Sequence, residues 1–339
     1  MIARNEAQKK ASETKLQSDW EEYKKQRNQV NSILKTEKKT WQEAKITSFG
    51  SDSSSVWKNI KNWLGWSKGG PPSKLLDNGN IFTKPSDLAR IMNSFFIKKV
   101  QNLRQNLPEN PGNPLHLLQA IMQNRSCSFK LTPVHPDIVL KIISNLKNSS
   151  ACGTDEISSG VLKLIKYEIT PALTHIINLS ISNQTFPSLW KTAKVIPLHK
   201  KNETLLPKNY RPVSLLSVLS KVTERCIFLQ MSGYLEENNL LHPSHHGFRP
   251  KHSTTSALIQ MFDTWIEASE NDEVSAVIML DMSAAFDVVD YDILLSKLAL
   301  YGFEDSALEW VRSYLSNRSQ SVFIEGCLSE PLPIECGVP

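Results

Sequence analysis

Cysteine is scarce in this chain: five residues in 339, an odd number, with no CxxC pair among them. That excludes a disulfide-stapled scaffold and a cysteine-type zinc site, and fits a reducing compartment. Long apolar runs are absent too, and none approaches the ~20 residues needed to span a bilayer. The N-terminus, MIARNEAQKK, carries charge with no hydrophobic segment behind it, so it does not read as a secretory signal. Glycine never gathers into a Walker-type phosphate loop, and neither GxSxG nor HExxH occurs. His245 and His246 adjoin, but neighbouring residues rarely share one metal and no further ligand follows at useful spacing, which discounts zinc. The expectation left by these absences is an intracellular protein with no membrane segment.

What is present is ordinary globular composition, 40% hydrophobic and 22% charged. The length allows two or three domains and a sizeable core. Charge is unevenly placed. Residues 1–74 hold 15 Lys and Arg against 8 Asp and Glu, leaving 24 against 26 for the rest, and they hold five of the eight tryptophans. A basic, aromatic-rich segment suits a phosphate-rich partner with stacking as a second contribution. It equally suits a solvated helix whose tryptophans pack on a neighbouring domain.

From Leu16 to Ala44 the spacing alternates three and four through Leu16, Trp20, Tyr23, Arg27, Val30, Leu34, Glu37, Trp41 and Ala44. This predicts a long amphipathic helix with a narrow stripe, interrupted at Arg27 and Glu37. Residues 47–56 and 67–73 read as linkers, and 105–114 is too rich in Pro, Gly and Asn for regular structure. Between them a helix is expected over Asp87–Leu103 with Ser86 as its cap. From about 135 the chain becomes mixed. Val139, Ile142, Ile143 and Leu146 share a helix face. Thr170-Pro171 reads as a helix start. Residues 193–200 and 320–326 read as strands, and helices are expected over Ser220–Glu237 and after Ser253 and Asp290. Gly302 should end the last of these, and Ser306-x-x-Glu309 should open another. Ala276–Leu280 is expected to be a short apolar strand.

That strand runs into Asp281. A carboxylate at such a rim is costly unless it is paired, capping or metal-bound. Oxygen ligands of this kind suit Mg²⁺, but nucleotidyl transfer needs two ions bridged by shared carboxylates. Asp281 alone cannot build that, Asp287 could help only if its loop folds back, and Asp290 is better spent as a cap. Phe286 is either core or an aromatic that fills the space a ribose 2′-hydroxyl would need. Lys200, Lys201 and Arg211 are either an exposed basic loop or a set aimed at a triphosphate.

The segments NYRPVSLLSVLSKVTERCI (209–227), HHGFRPKHSTTSAL (245–258), VIMLDMSAAFDVVD (277–290) and YLSNRSQSVFIEGCLSEPLPIECGVP (314–339) occur in an order that resembles reverse transcriptases of non-LTR, LINE-type retrotransposons, the jockey-like group above all. LKNSSACGTDEISSGVLK (146–163) and FPSLWKTAKVIPLHKK (186–201) resemble that family's N-terminal extension and entry into the fingers. The resemblance covers about 135–339; residues 1–130 resemble more loosely the linker after an endonuclease domain.

The resemblance implies an α+β right-hand polymerase fold and a domain plan. Residues 1–75 would be a basic helical linker, 76–134 a connector, 135–190 a helical N-terminal extension, 191–270 the fingers, and 271–339 the start of an incomplete palm without a thumb. It implies that Asp281 binds magnesium with the Met282 carbonyl beside it, that Phe286 screens the sugar, and that Arg211 with Lys200 or Lys201 meets the incoming nucleotide. Gly247, Phe248 and Arg249 would lie near template and nucleotide. RNA template, DNA primer and deoxynucleotide triphosphates would be the partners. The family continues with Gln-Gly-Ser and an aromatic-x-Asp-Asp hairpin, and neither motif occurs in these 339 residues. The expectation is therefore an RNA-directed DNA polymerase region whose isolated chain does not polymerise. A non-catalytic nucleic-acid-binding protein of retroelement origin is the alternative, and a magnesium nuclease a weaker third.

Overall fold

The structure, a computed structural model, describes residues 2–48, 56, 59–60, 70–106, 112–122, 127–149, 151–200 and 202–339. It divides into two compact units, 1–68 and 69–339. In the first, α1 (Ile2–Thr14) meets α2 (Gln17–Thr47) through a break at Lys15, whose φ of 56° no helix accommodates. The corner is held by Asp19, which accepts from Thr14 Oγ1 at 2.6 Å and pairs with Lys10 at 2.9 Å. The striped helix expected from Leu16 to Ala44 is thus present, and no residue of it is buried. Most of the linkers expected at 47–56 and 67–73, and the middle of the irregular stretch at 105–114, lie outside the described residues.

The second unit opens with a hairpin of β1 (Leu75–Asp77) and β2 (Asn80–Phe82), turning at Asn78-Gly79 with both φ positive. Next come the helices α3 (Pro85–Gln105), α4 (His116–Met122), α5 (Pro136–Asn145), α6 (Ser159–Leu164) and α7 (Lys166–Ser182). Strands β3 (Thr192–His199) and β4 (Tyr210–Leu215) form an antiparallel hairpin. A long crossover carries α8 (Val218–Glu237), α9 (Thr254–Glu270), α10 (Tyr291–Leu300) and α11 (Asp305–Leu315). The chain then returns as β5 (Arg318–Ile324), parallel to β3, with β6 (Cys327–Leu328) and β7 (Leu332–Ile334) antiparallel to it. Sheet order is β4-β3-β5-β6, with β7 also on β5.

Alternation in β3 buries Ala193 and Val195 against Val322 and Ile324 of β5 and against Leu88, Met92 and Phe96 of α3, so α3 covers one sheet face. A larger core joins the helices, with Phe186, Ile177, Val222 and Trp310 at its centre. Trp310 Nε1 donates to Ser180 Oγ at 3.0 Å, so its one polar atom is satisfied inside that core.

Several local expectations shift. The helix expected from Asp87 starts at Pro85, with Lys84 rather than Ser86 at the cap, because proline at the first helical position needs no donor. Thr170-Pro171 lies inside α7; the helix has already begun at Lys166, and Thr170 Oγ1 turns inward to the Lys166 carbonyl at 2.5 Å. The helix assigned to Ser306 starts at Asp305, and its cap, Glu304, accepts from Ser128 Oγ at 2.5 Å instead of capping. The strand expected at Ala276–Leu280 does not form. Residues 273–282 pair with no strand, and Ile278, Met279 and Leu280 are each about 85% exposed or more. A strand is stabilised by a ladder partner, and β3 is already paired on both sides, by β4 and β5. Asp281 therefore does not end a strand.

Candidate nucleotide and nucleic-acid site

Residues 283–288 turn sharply after Asp281, with Ala284 at φ 56° and the Asp287 amide donating to the Ala284 carbonyl at 2.9 Å. The turn is laced to the chain's last residues. Val338 N donates to the Phe286 carbonyl at 2.8 Å, Gly337 N to the Val289 carbonyl at 2.9 Å, and Cys336 Sγ to the Asp287 carbonyl at 3.4 Å. A Cβ on Gly337 would come within 2.6 Å of that same carbonyl oxygen, so only glycine permits the approach.

The lacing leaves the Phe286 ring 58% exposed and edge-on to Phe248, centroids 5.8 Å apart at 90°. Phe248 sits at the tip of the 241–252 loop with φ 56° and is 86% exposed; Gly247 beside it has open space around it. Arg249 is committed elsewhere. Its guanidinium forks onto Glu236, Nε to Oε1 at 2.8 Å and Nη2 to Oε2 at 2.9 Å, and donates to the His242 carbonyl. That pair anchors the loop to α8 and holds the Glu236 carboxylate below its ordinary range.

On β4, Arg211 lies opposite Leu198 of β3 on the exposed side, while its neighbour Tyr210 is buried in the core. Lys194 shares that outer side and stands 4.1 Å over the Phe323 ring. Lys200 extends the hairpin by donating its amide to the Asn209 carbonyl at 2.8 Å; Lys201 lies outside the described residues. Asp281 and Met282 are exposed, and Asp281 makes no described hydrogen bond or ion pair. Phe286 and Phe248 are thus brought together, while Arg249 is engaged in its own ion pair.

A two-metal site does not fit what is described. Among the described residues no three His, Cys, Asp or Glu side chains gather as metal ligands, Asp281 included. Asp287 packs instead into a cavity of about 360 Å³ between α3, the sheet and residues 333–339. Burial pushes its carboxyl above the ordinary range, opposed by Lys99.

That cavity was not legible in the sequence. Lys99, Arg104, Arg318 and Gln320 line it with Asp287 and Cys336. Arg318, only 3% exposed, donates to the Tyr314 carbonyl at 2.7 Å and stacks over Tyr314. Arg104 reaches from α3 to Asp290 at 2.7 Å, and Asp290 caps α10 by accepting from the Asp292 and Ile293 amides. The Asp290 cap was readable as a sequence signal; its cross-chain partner, far back in the chain, was not. Tyr291, next along, has the one buried side-chain polar atom without a partner among the described residues, and burial pushes its phenol up to about 12.

Residues 198–339 match the family model described as reverse transcriptase (RNA-dependent DNA polymerase). This part of the chain is similar to a reverse transcriptase domain. It is 30% identical over 213 residues to the probable RNA-directed DNA polymerase from transposon BS of Drosophila melanogaster, a span of 62% of this chain and 23% of that protein. It is 32% identical over 213 residues, with the same two shares, to the RNA-directed DNA polymerase from mobile element jockey of the same fly. The probable polymerase from transposon X-element is 29% identical over 210 residues. The chain thus spans less than a quarter of the length of these relatives, and the resemblance to jockey-like retrotransposon reverse transcriptases is borne out. The reverse transcriptase family implies dependence on a divalent metal and on nucleic-acid and nucleotide substrates. No helix among the described residues is long and apolar enough to cross a membrane.

Proposed function

We propose that this chain is the N-terminal extension, fingers and first part of the palm of a non-LTR retrotransposon's RNA-directed DNA polymerase. In this reading 135–190 is the extension, 191–270 the fingers and 271–339 the start of the palm. The chain would engage RNA template, DNA primer and deoxynucleotide triphosphates. The observation that carries the reading is the reverse transcriptase match over 198–339. The edge-on contact of Phe248 with Phe286 supports it, since it draws a fingers loop and a palm turn towards one exposed spot.

Within that reading Arg211 and Lys200, with Lys201, offer positive charge to a triphosphate, and Phe286 limits the space beside its sugar. Gly247 and Phe248 offer an open backbone and a stacking face to template. Asp281 and the Met282 carbonyl would supply oxygen ligands, but one carboxylate is too few for nucleotidyl transfer. The 339-residue chain by itself is accordingly inactive. A primer-extension assay on an RNA template with Mg²⁺ tests this: no incorporation is expected, and template-dependent incorporation lost in Asp281→Ala would overturn it.

A second reading, nucleic-acid binding without catalysis, is favoured by α2. It buries none of its residues and carries Lys24, Lys25, Arg27, Lys35, Lys38, Lys39 and Lys45. The two readings differ in present activity, not in origin.

A further inference from the structure

The seam of α2 is interrupted by two charges, and their positions specify a partner. Leu16, Trp20, Tyr23, Arg27, Val30, Leu34, Glu37, Trp41 and Ala44 follow the alternating spacing of a coiled-coil seam, on a helix with no buried residue. Ile33 and Leu34 are 55% and 51% exposed. The half-buried residues of α2 are Asp19, Tyr23, Gln26, Val30 and Gln42, while Leu16, Arg27, Leu34, Glu37 and Ala44 of the stripe are exposed. Arg27 hydrogen-bonds to its neighbour Asn28, and neither Arg27 nor Glu37 forms an ion pair among the described residues.

Two copies could meet through this seam in parallel or antiparallel. In a parallel, in-register pair, Arg27 would face Arg27 and Glu37 would face Glu37, two like-charge layers in a partly desolvated seam. In an antiparallel pair centred on position 32, Arg27 faces Glu37 of the partner subunit, and two-fold symmetry repeats the contact. Both interruptions then neutralise each other. The same register sets Val30 against Leu34 and the large Trp20 against the small Ala44. Trp41, which already interacts within its own chain, falls opposite Tyr23 and is not needed for the pairing. Lys24 and Lys38 come together on one flank and repel, which keeps the association modest.

We propose that α2 is an antiparallel homodimerisation helix. Its occupant is α2 of a second copy, and its register is fixed by reciprocal Arg27–Glu37 pairs. This is independent of the polymerase reading. The experiment is sedimentation equilibrium on the nuclease-treated 339-residue chain, comparing the parent with Arg27→Glu, Glu37→Arg and the double exchange. Far-UV circular dichroism checks that all four keep the same helix content. The parent should dimerise, each single exchange should weaken the dimer at least about tenfold by setting like charges in both layers, and the double exchange should restore it. Restoration is specific to antiparallel pairing, since a parallel dimer gains nothing from the double exchange. A monomeric parent up to about 100 µM, singles that associate as well as the parent, or a double exchange no better than the singles would each overturn the proposal.

Discussion

Asp287 is held half-buried by its own backbone: the bonds from Cys336 and Gly337 fix the turn it sits on, and its carboxyl is left in the cavity facing Lys99. Its raised folded-state pKa means that the unfolded chain gives up this proton first as pH rises. The stability that this group contributes is therefore fully present below the unfolded value of about 3.9 and is lost as pH rises through the folded value. Asp287→Asn should raise the melting temperature at pH 7 and leave it unchanged near pH 3; thermal melts at the two pH values decide it. Gly302 is constrained in the opposite sense, by space. Its φ is 86°, a Cβ there would lie 2.1 Å from the Cys127 carbonyl oxygen, and its own carbonyl accepts from Phe129 N at 2.8 Å. Gly302→Ala should cost on the order of 2 kcal/mol or more in denaturant unfolding.

At the scale of elements, the crossover from β4 to β5 contains both a tightly anchored helix and an exposed one. Helix α8 is capped by Ser217, against which Gly153 packs so closely that a Cβ would meet Ser217 N at 2.6 Å. This ties the 146–163 segment to the start of α8. Helix α9 begins with a reciprocal capping box between Ser253 and Ser256, yet buries no residue, and Leu258, Phe262 and Ile266 are each more than half exposed. The unpaired stretch 273–282 follows it. With no ladder to protect its amides, this stretch should be the first part of the second unit cut by chymotrypsin, after Met279 or Leu280. Limited proteolysis with mass mapping checks this, and protection of 273–282 with first cuts inside β3 or β5 would contradict it. The Ser253 and Asp290 caps were legible as sequence signals because a cap is a local hydrogen bond; the Ser217 cap was not read, and the helix it opens was expected to begin at Ser220. The failed strand was legible only as apolar composition, because a strand is a relation between two segments.

At the scale of the molecule, charge is segregated. The first 74 residues carry the excess of Lys and Arg, among them the exposed Lys24, Lys25, Lys35, Lys38 and Lys39 of α2, whereas the remainder is close to neutral. If nucleic acid is bound, most of the affinity should come from this segment and fall steeply with salt, as counterion release requires. Binding of an RNA oligonucleotide, measured across a salt series for the whole chain and for one lacking 1–74, should show a weaker affinity and shallower slope for the shorter form. Equal slopes would place the phosphate contacts within residues 75–339 instead.

The sequence by itself determined the long striped helix, the strands at 193–200 and 320–326, the caps at Ser253 and Asp290, and the resemblance to reverse transcriptases, because each rests on local spacing or on an ordered set of short motifs. It also named Phe248 and Phe286, though not their contact. Only the tertiary structure decided that Arg249 is consumed by Glu236, that Arg104 clamps the Asp290 cap, that Asp287 is drawn into a cavity beside Lys99, and that Asp281 is exposed and ends no strand. Those outcomes depend on residues far apart in the chain competing for the same few partners, and no window of sequence contains that competition.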